Sequence, residues 1–198
     1  MQRLALAVHE AHSQWVRDVV PALGGLALHF DPAFEGNVPD AAAELVTRCI
    51  KEGLPSSKAV GRDVEVPVCY DIEFGFDLAE LSHKLKLPPE EIARRHAAGT
   101  YRVLMVGFAP GHPYMSGLDA ALAVPRRATP RAVVPAGSVA IANEQSVIYP
   151  YAISGGWSVV GRTPLQVFNA HRPEPSLLQA GDRVRFRPIP REDFGNWA

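Results

Sequence analysis

The chain has 198 residues, 47% hydrophobic and 21% charged, a balance that supports a packed core and excludes an intrinsically disordered chain. Twenty Lys+Arg against 21 Asp+Glu leave a formal charge of -1, which excludes a global basic field for nucleic acid. No apolar run reaches the roughly 18 residues of a membrane span, and residues 1–10 lack the order of a secretory signal, so a cytoplasmic protein without nucleic-acid or membrane partner is expected.

Leu4, Leu6, Val8, Ala11 and Trp15 suit a helix running into Trp15. His9-Glu10-Ala11-His12 within it spaces its histidines at i+3 rather than the i+4 of a zinc-protease helix, and reads as an exposed face. Residues 15–20 and 26–30 are β-like runs joined through Gly24-Gly25, a hairpin. From 37 to 52 apolar residues recur at helical spacing, with Asn37 as cap, Asp40 three residues on, and Gly53 at the end. This helix carries Cys49 on its apolar face. The aperiodic stretch 54–63 is the expected domain boundary, dividing the chain into 1–60 and 61–198.

Val64, Val66, Val68 and Tyr70 alternate with polar or small residues as in a half-buried strand, with Pro67 marking an edge or a strand start. Cys69 has no metal-ligand neighbour, so both cysteines read as buried thiols and no metal site is expected. Asp77 and Glu80 form a capping-box pattern before Leu78, Leu81 and Leu85, and Pro88-Pro89-Glu90-Glu91 opens a second short helix closed by Gly99. His96 lies in the last turn of that helix, where the dipole favours its charged form. Residues 101–108, 133–142, 145–149, 157–160, 165–169 and 183–189 read as short strands. Eleven of the 18 prolines fall after residue 109, and many short strands punctuated by prolines favour a barrel or sandwich. Arg183, Arg185 and Arg187 alternate with Val184 and Phe186 as the outward face of the last strand.

No Gly precedes Lys and no G-x-G-x-x-G follows a strand, so the common phosphate loops are excluded. Ser116 and Ser138 lack the surroundings of a nucleophile elbow. The densest chemistry lies in residues 107–119, where Pro110-Gly111 suits a type II turn and Pro113 stiffens the chain that presents Phe108, His112 and Tyr114. Two readings stand: a preorganised pocket wall, or a structural turn whose aromatics pack into the core. In Pro125-Arg126-Arg127-Ala128-Thr129-Pro130-Arg131, guanidinium forks held among prolines suit a carboxylate or phosphate, the alternative being a solvated turn with surface ion pairs. Gly155-Gly156-Trp157 brings a flat ring beside backbone that a ligand can approach, or else is a bulge with a core Trp. Arg162 and Thr163 can hydrogen-bond an anion, while Asn143, Gln145 and Tyr149 can serve an amide-like ligand.

These motifs together resemble the KipI and allophanate hydrolase subunit 1 family, described as the B-type subunit of a bacterial 5-oxoprolinase. The likeness runs through Val66-Pro67-Val68-Cys69-Tyr70-Asp71, residues 107–114, residues 125–131, Val134-Pro135-Ala136-Gly137-Ser138-Val139, Ser154-Gly155-Gly156-Trp157 and Gly161-Arg162-Thr163-Pro164. The resemblance implies an α+β, mainly β fold: a C-terminal cyclophilin-like β-barrel preceded by a small ferredoxin-like α/β domain. Family members begin with a strand where Met1 here leads almost directly into the helix, so either that domain lacks its first strand or the start of the chain is misassigned. It further implies a subunit of an ATP-dependent amidohydrolase, inactive alone, that opens 5-oxoproline to glutamate. The implied partners are a KipA-like C-type subunit, which completes a composite site, and a LamB/YcsF-like A-type subunit. The pocket is then shaped by Phe108, His112, Tyr114 and Trp157, with Arg126, Arg127 and Arg162 facing a carboxylate or phosphoryl group. His112 stands where an aromatic such as Phe is expected, which makes the pocket more polar. The rival reading within the family is a regulator that binds a sensor histidine kinase, and a urea-carboxylase-related subunit is a further alternative.

Overall fold

The apolar spacing of the first residues forms α1 (Gln2–Glu10), which ends before Trp15. The hairpin follows as β1 (Val16–Pro21) and β2 (Leu26–Phe30), paired antiparallel, and then α2 (Val38–Glu52). The Asn37 side chain accepts from the Asp40 N–H at 3.4 Å, and Gly53 leaves the helix at φ 99°. Val8, Leu45 and Cys49 are buried together, with Leu4, Val19 and Leu28 packed around them. Trp15 stacks on Phe30 with ring centroids 4.7 Å apart.

This computed structural model describes residues 1–11, 13–56 and 61–197, and its contacts divide the chain into two units, Met1–Gly61 and Arg62–Ala198. His12, the second histidine of the zinc-like pattern, and residues 57–60 of the expected linker lie outside the described residues.

The second unit is built on β3 (Asp63–Val68), β4 (Thr100–Val106), β5 (Pro113–Ser116), β7 (Ser138–Ala142), β8 (Gln145–Ile148), β10 (Ser158–Arg162) and β11 (Arg183–Pro188). They form one sheet in the order β10-β7-β8-β5-β4-β11-β3. Pairing is antiparallel except between β11 and β3. β3 is the end strand, where Pro67 is tolerated because an edge needs fewer ladder donors. The sheet curls until its ends meet: the Cys69 N–H donates to the Arg162 carbonyl and the Arg162 N–H to the Cys69 carbonyl, both at 2.9 Å. A smaller sheet pairs β6 (Arg131–Val134) with β9 (Ile153–Gly155), and α3 (Leu78–Leu85) and α4 (Pro89–Ala98) complete the unit.

Every residue of β7 is buried. Val66, Leu81, Ile92, Met115 and Ile141 belong to one apolar cluster, and Val134, Val147, Tyr149 and Trp157 to a second. On β11, Val184 and Phe186 are buried while Arg183 and Arg187 pair at the surface with Asp63 and Glu65. Both cysteines are buried and free.

Several expectations change. Residues 133–142 are two strands, because Pro135-Ala136-Gly137 makes a turn with Gly137 at φ 77°. Residues 165–169 contribute only a single bridge, Phe168 to Ser176. Residues 113–116, read as loop, are the strand β5, held between β4 and β8. Asp77 makes no side-chain cap on α3. His96 is not a charged helix terminus: complete burial drives its pKa down to about 3, and its ring lies 2.8 Å from the Tyr70 hydroxyl and 3.0 Å from the Ser146 hydroxyl. Desolvation outweighs the dipole there.

Candidate functional site

The turn after β4 is built as its dipeptide dictates. The His112 N–H donates to the Ala109 carbonyl at 3.0 Å across Pro110-Gly111, and Gly111 takes φ 77°. A side chain on Gly111 would run into Phe168. The turn leaves Phe108 at φ 70° with 67% of its surface exposed, a backbone region in which a bulky residue is rarely held. β5 then carries Tyr114, the end of β8 leads to Tyr149, and Trp157 directly precedes β10.

These groups surround a cavity of ≈ 240 Å³. His112 is its hub, with ring centroids 5.5 Å from Phe108, 4.9 Å from Tyr114 and 5.2 Å from Tyr149. Tyr114 meets Trp157 edge-on at 5.9 Å, and the Arg126 guanidinium lies 5.5 Å from the Trp157 ring. Arg127, Pro130 and Ser154-Gly155-Gly156 complete the lining. Gly155 is needed there, since a Cβ would fall on the Tyr149 hydroxyl. Burial holds His112 down to about 4, so the imidazole is neutral, and raises the Tyr149 and Tyr114 phenols. The wall facing a ligand is therefore aromatic and uncharged, with one cation at its rim.

That cation is positioned from behind. Asp77 is 2% exposed and accepts from the Val159 N–H at 2.7 Å, from both terminal nitrogens of Arg131 and from Arg127 at 3.2 Å. Arg127 also reaches Glu80 at 2.6 Å, and its backbone N–H donates to Gly156 at 2.7 Å. The Lys84 and Arg127 hydrogen bonds hold the Glu80 carboxyl down to about 2. One buried carboxylate thus ties the start of α3, β10 and the 125–131 loop together. Among the described residues Arg126 makes no ion pair with a carboxylate, whereas Arg127 and Arg131 do.

A family model described as Carboxyltransferase domain, subdomain C and D, matches residues 1–178. The chain belongs to this carboxyltransferase-domain family. It is 47% identical over 133 residues to the B-type subunit of 5-oxoprolinase from Bacillus subtilis, covering 67% of this chain and 55% of that protein. It is also 47% identical over 126 residues to the B-type subunit of 5-oxoprolinase from Haemophilus influenzae, covering 64% of this chain and 59% of that one. The chain thus spans little more than half the length of these relatives. A crystal structure of TTHA0988 shares its fold with a TM-score of 0.80 at 39% identity, over 96% of this chain and 37% of that one. The mainly β architecture with its curled sheet is therefore that of carboxyltransferase-domain proteins.

In this carboxyltransferase-domain chain the cavity unites Phe108, His112, Tyr114, Arg126, Arg127, Tyr149 and Trp157. Gln145, Arg162 and Thr163 do not line it. Gln145 begins β8, paired with Ala142 and Ser116. Arg162 donates to the Ala136 carbonyl at 2.7 Å and lies over Phe194, while Thr163 is buried and accepts from the Leu165 N–H. Arg127 lines the cavity while its terminal nitrogen pairs with Asp77 and Glu80. Sequence reasoning missed Asp77 as the anchor of the loop, and no local signal pointed to partners 50 to 82 residues away. Among the described residues no three His, Cys, Asp or Glu are grouped to hold a metal ion, and no helix is long and apolar enough to cross a membrane.

Proposed function

We propose that the chain supplies one wall of a composite site in a 5-oxoprolinase, acting as part of its B-type subunit to open 5-oxoproline to glutamate with ATP. The observation that carries this reading is the single cavity in which the unpaired Arg126 stands over Trp157 beside neutral aromatic groups. Its relatives' names supply the substrate. Arg126 takes the ring carboxylate, and the aromatic wall receives the ring. A lactam is a poor electrophile, so phosphoryl transfer from ATP activates the carbonyl. ADP leaves, and water adds to the phosphorylated carbonyl carbon. The C–N bond breaks as the nitrogen takes a proton to become the amino group, and a second water cleaves the acyl phosphate that remains to glutamate and phosphate.

The pocket does not suit the nucleotide itself. A cavity of ≈ 240 Å³ with one free guanidinium fits a five-membered ring rather than a triphosphate, so ATP belongs elsewhere in the complex. Phe108, exposed and held at φ 70°, is placed for another polypeptide to cover. A KipA-like C-type subunit fits that role. The third member is then the LamB/YcsF-like A-type subunit, and the isolated chain is inactive. The finer fold reading has similar support. A sheet whose ends join at Cys69 and Arg162 suits a cyclophilin-like barrel, and the order α1-β1-β2-α2 suits the middle of a ferredoxin-like unit. The histidine-kinase reading is not favoured, because the relatives carry the hydrolase name.

Mixing the chain with both partner subunits, 5-oxoproline and ATP tests the proposal by glutamate release. Arg126→Ala is expected to raise KM for 5-oxoproline about tenfold or more, the scale of one charge-assisted contact. A complete mixture that hydrolyses ATP without forming glutamate removes the reading.

A further inference from the structure

The Asp77 carboxylate is buried at the head of α3 and makes no cap on that helix. Among the described residues its side-chain hydrogen bonds go elsewhere: one from Arg127, two from Arg131 and one from the Val159 N–H. Each of these three partners belongs to, or lies close in sequence to, the cavity wall. Arg127 lines the cavity and follows Arg126, Arg131 follows Pro130, and Val159 comes shortly after Trp157.

The backbone closes the same clamp. The Asp77 N–H donates to the Val159 carbonyl at 3.1 Å, so Asp77 and Val159 hold each other in both directions. The Arg127 N–H donates to the Gly156 carbonyl at 2.7 Å, and Arg131 pairs with Gly155 across β6 and β9. The Arg131 guanidinium also lies over the Phe76 ring at 4.8 Å. A buried carboxylate with guanidinium partners is a weak source of stability, because desolvation offsets much of the attraction. What this one fixes is the relative placing of α3, β10 and the 125–131 loop. Arg126 is the loop residue whose guanidinium lies over Trp157, at 5.5 Å. A long side chain loses rotamer freedom when it grips an anion, and a backbone held in place beforehand lowers the remaining cost.

We propose that Asp77 is a positioning residue: it never touches the ligand, but it pins the 125–131 loop to β10 so that Arg126 stands over Trp157 before a carboxylate arrives. This rests on the cavity being the 5-oxoproline site proposed above.

The test is a double-mutant cycle of Asp77→Asn and Arg126→Ala in the chain assembled with its partner subunits. Affinity for 5-oxoproline is measured calorimetrically, turnover by glutamate release, and stability by chemical denaturation. Asp77→Asn keeps an acceptor for the Val159 N–H and drops the charge that holds the two guanidinium groups. Alone, it is expected to weaken 5-oxoproline binding about fivefold, the scale of one hydrogen bond, and to raise KM with kcat within about twofold. In the Arg126→Ala background it changes affinity by less than about twofold, while its denaturation midpoint falls as far as it does with Arg126 present. A merely structural role moves affinity equally in both backgrounds. That result, or a folded Asp77→Asn that binds like the wild type, overturns the proposal. Where Asp77→Asn does not fold, Arg131→Gln, which removes one arm and leaves the carboxylate with Arg127 and Val159, goes through the same cycle with the same deciding outcomes. Glutamate release by the wild type without coupling between the two sites leaves the 5-oxoprolinase reading intact and removes the positioning role. Coupling in the binding of 5-oxoproline without glutamate release does the reverse. Failure of the wild type to bind 5-oxoproline overturns the two together.

Discussion

His96 and His112 carry the same side chain into the same unit, and burial leaves both neutral, one as a satisfied core group and one in a pocket wall. Their burial has a thermodynamic signature. Unfolded, each histidine takes a proton near pH 6.5, whereas the folded groups resist until about 3 for His96 and about 4 for His112. Below 6.5 the unfolded state therefore binds more protons, and stability present above that pH is lost as pH falls toward the folded values. The slope is roughly 1.4 kcal/mol per pH unit for each histidine. Urea denaturation followed from pH 7 to pH 5 is expected to show an uptake of about two protons on unfolding from these two sites, and His112→Phe to show about one fewer. A pH-independent midpoint over that window would show that neither ring is held neutral. At the same scale, Arg126 and Arg127 are adjacent in sequence yet differ in partners: Arg127 pairs with Asp77 and Glu80, while Arg126 lies over the Trp157 ring.

The 125–131 loop and α3 depend on one another through Asp77. Removing its carboxylate orphans the Val159 N–H and leaves two guanidinium groups without their buried partner, side chains that are 23% and 28% exposed. Asp77→Ala is expected to destabilise the second unit by about 3 kcal/mol, and Asp77→Asn by less because it keeps an acceptor for Val159. Chemical denaturation measures both, and equal losses would show that charge is the whole effect. The same residue shows what sequence patterns can convey. Asp77 and Glu80 match a helix cap, but Asp77 turns its oxygens to a strand 82 residues further on, which no local spacing reports. β5 was hidden for a related reason: four residues opened by a proline become a strand because β4 and β8 flank them. The 37–53 helix, the hairpin and β11 were legible because their periodicity and end residues lie within one element. The pocket was half legible. Motifs brought Phe108, Tyr114, Arg126 and Trp157 to attention, but adjacency in a motif says nothing of side-chain direction, and so Gln145, Arg162 and Thr163 were placed with them.

At the scale of the whole chain, the two units differ in what they can bury. Met1–Gly61 encloses Val8, Leu45 and Cys49, whereas Arg62–Ala198 holds two larger apolar clusters around a seven-stranded sheet. A unit of about 60 residues with a small core is marginal on its own. Amide hydrogen exchange on the full chain is expected to release α1, β1, β2 and α2 first and to protect β7 and β8 longest. Uniform protection across both units would instead show a single cooperative body. The backbones of Cys69 and Arg162 pair with each other in both directions. Where two strand ends satisfy each other, neither offers bare amides to a passing chain, and Pro67 nearby has no amide to offer at all. At that point the protein lacks the template on which fibrils grow, which favours staying dispersed when crowded.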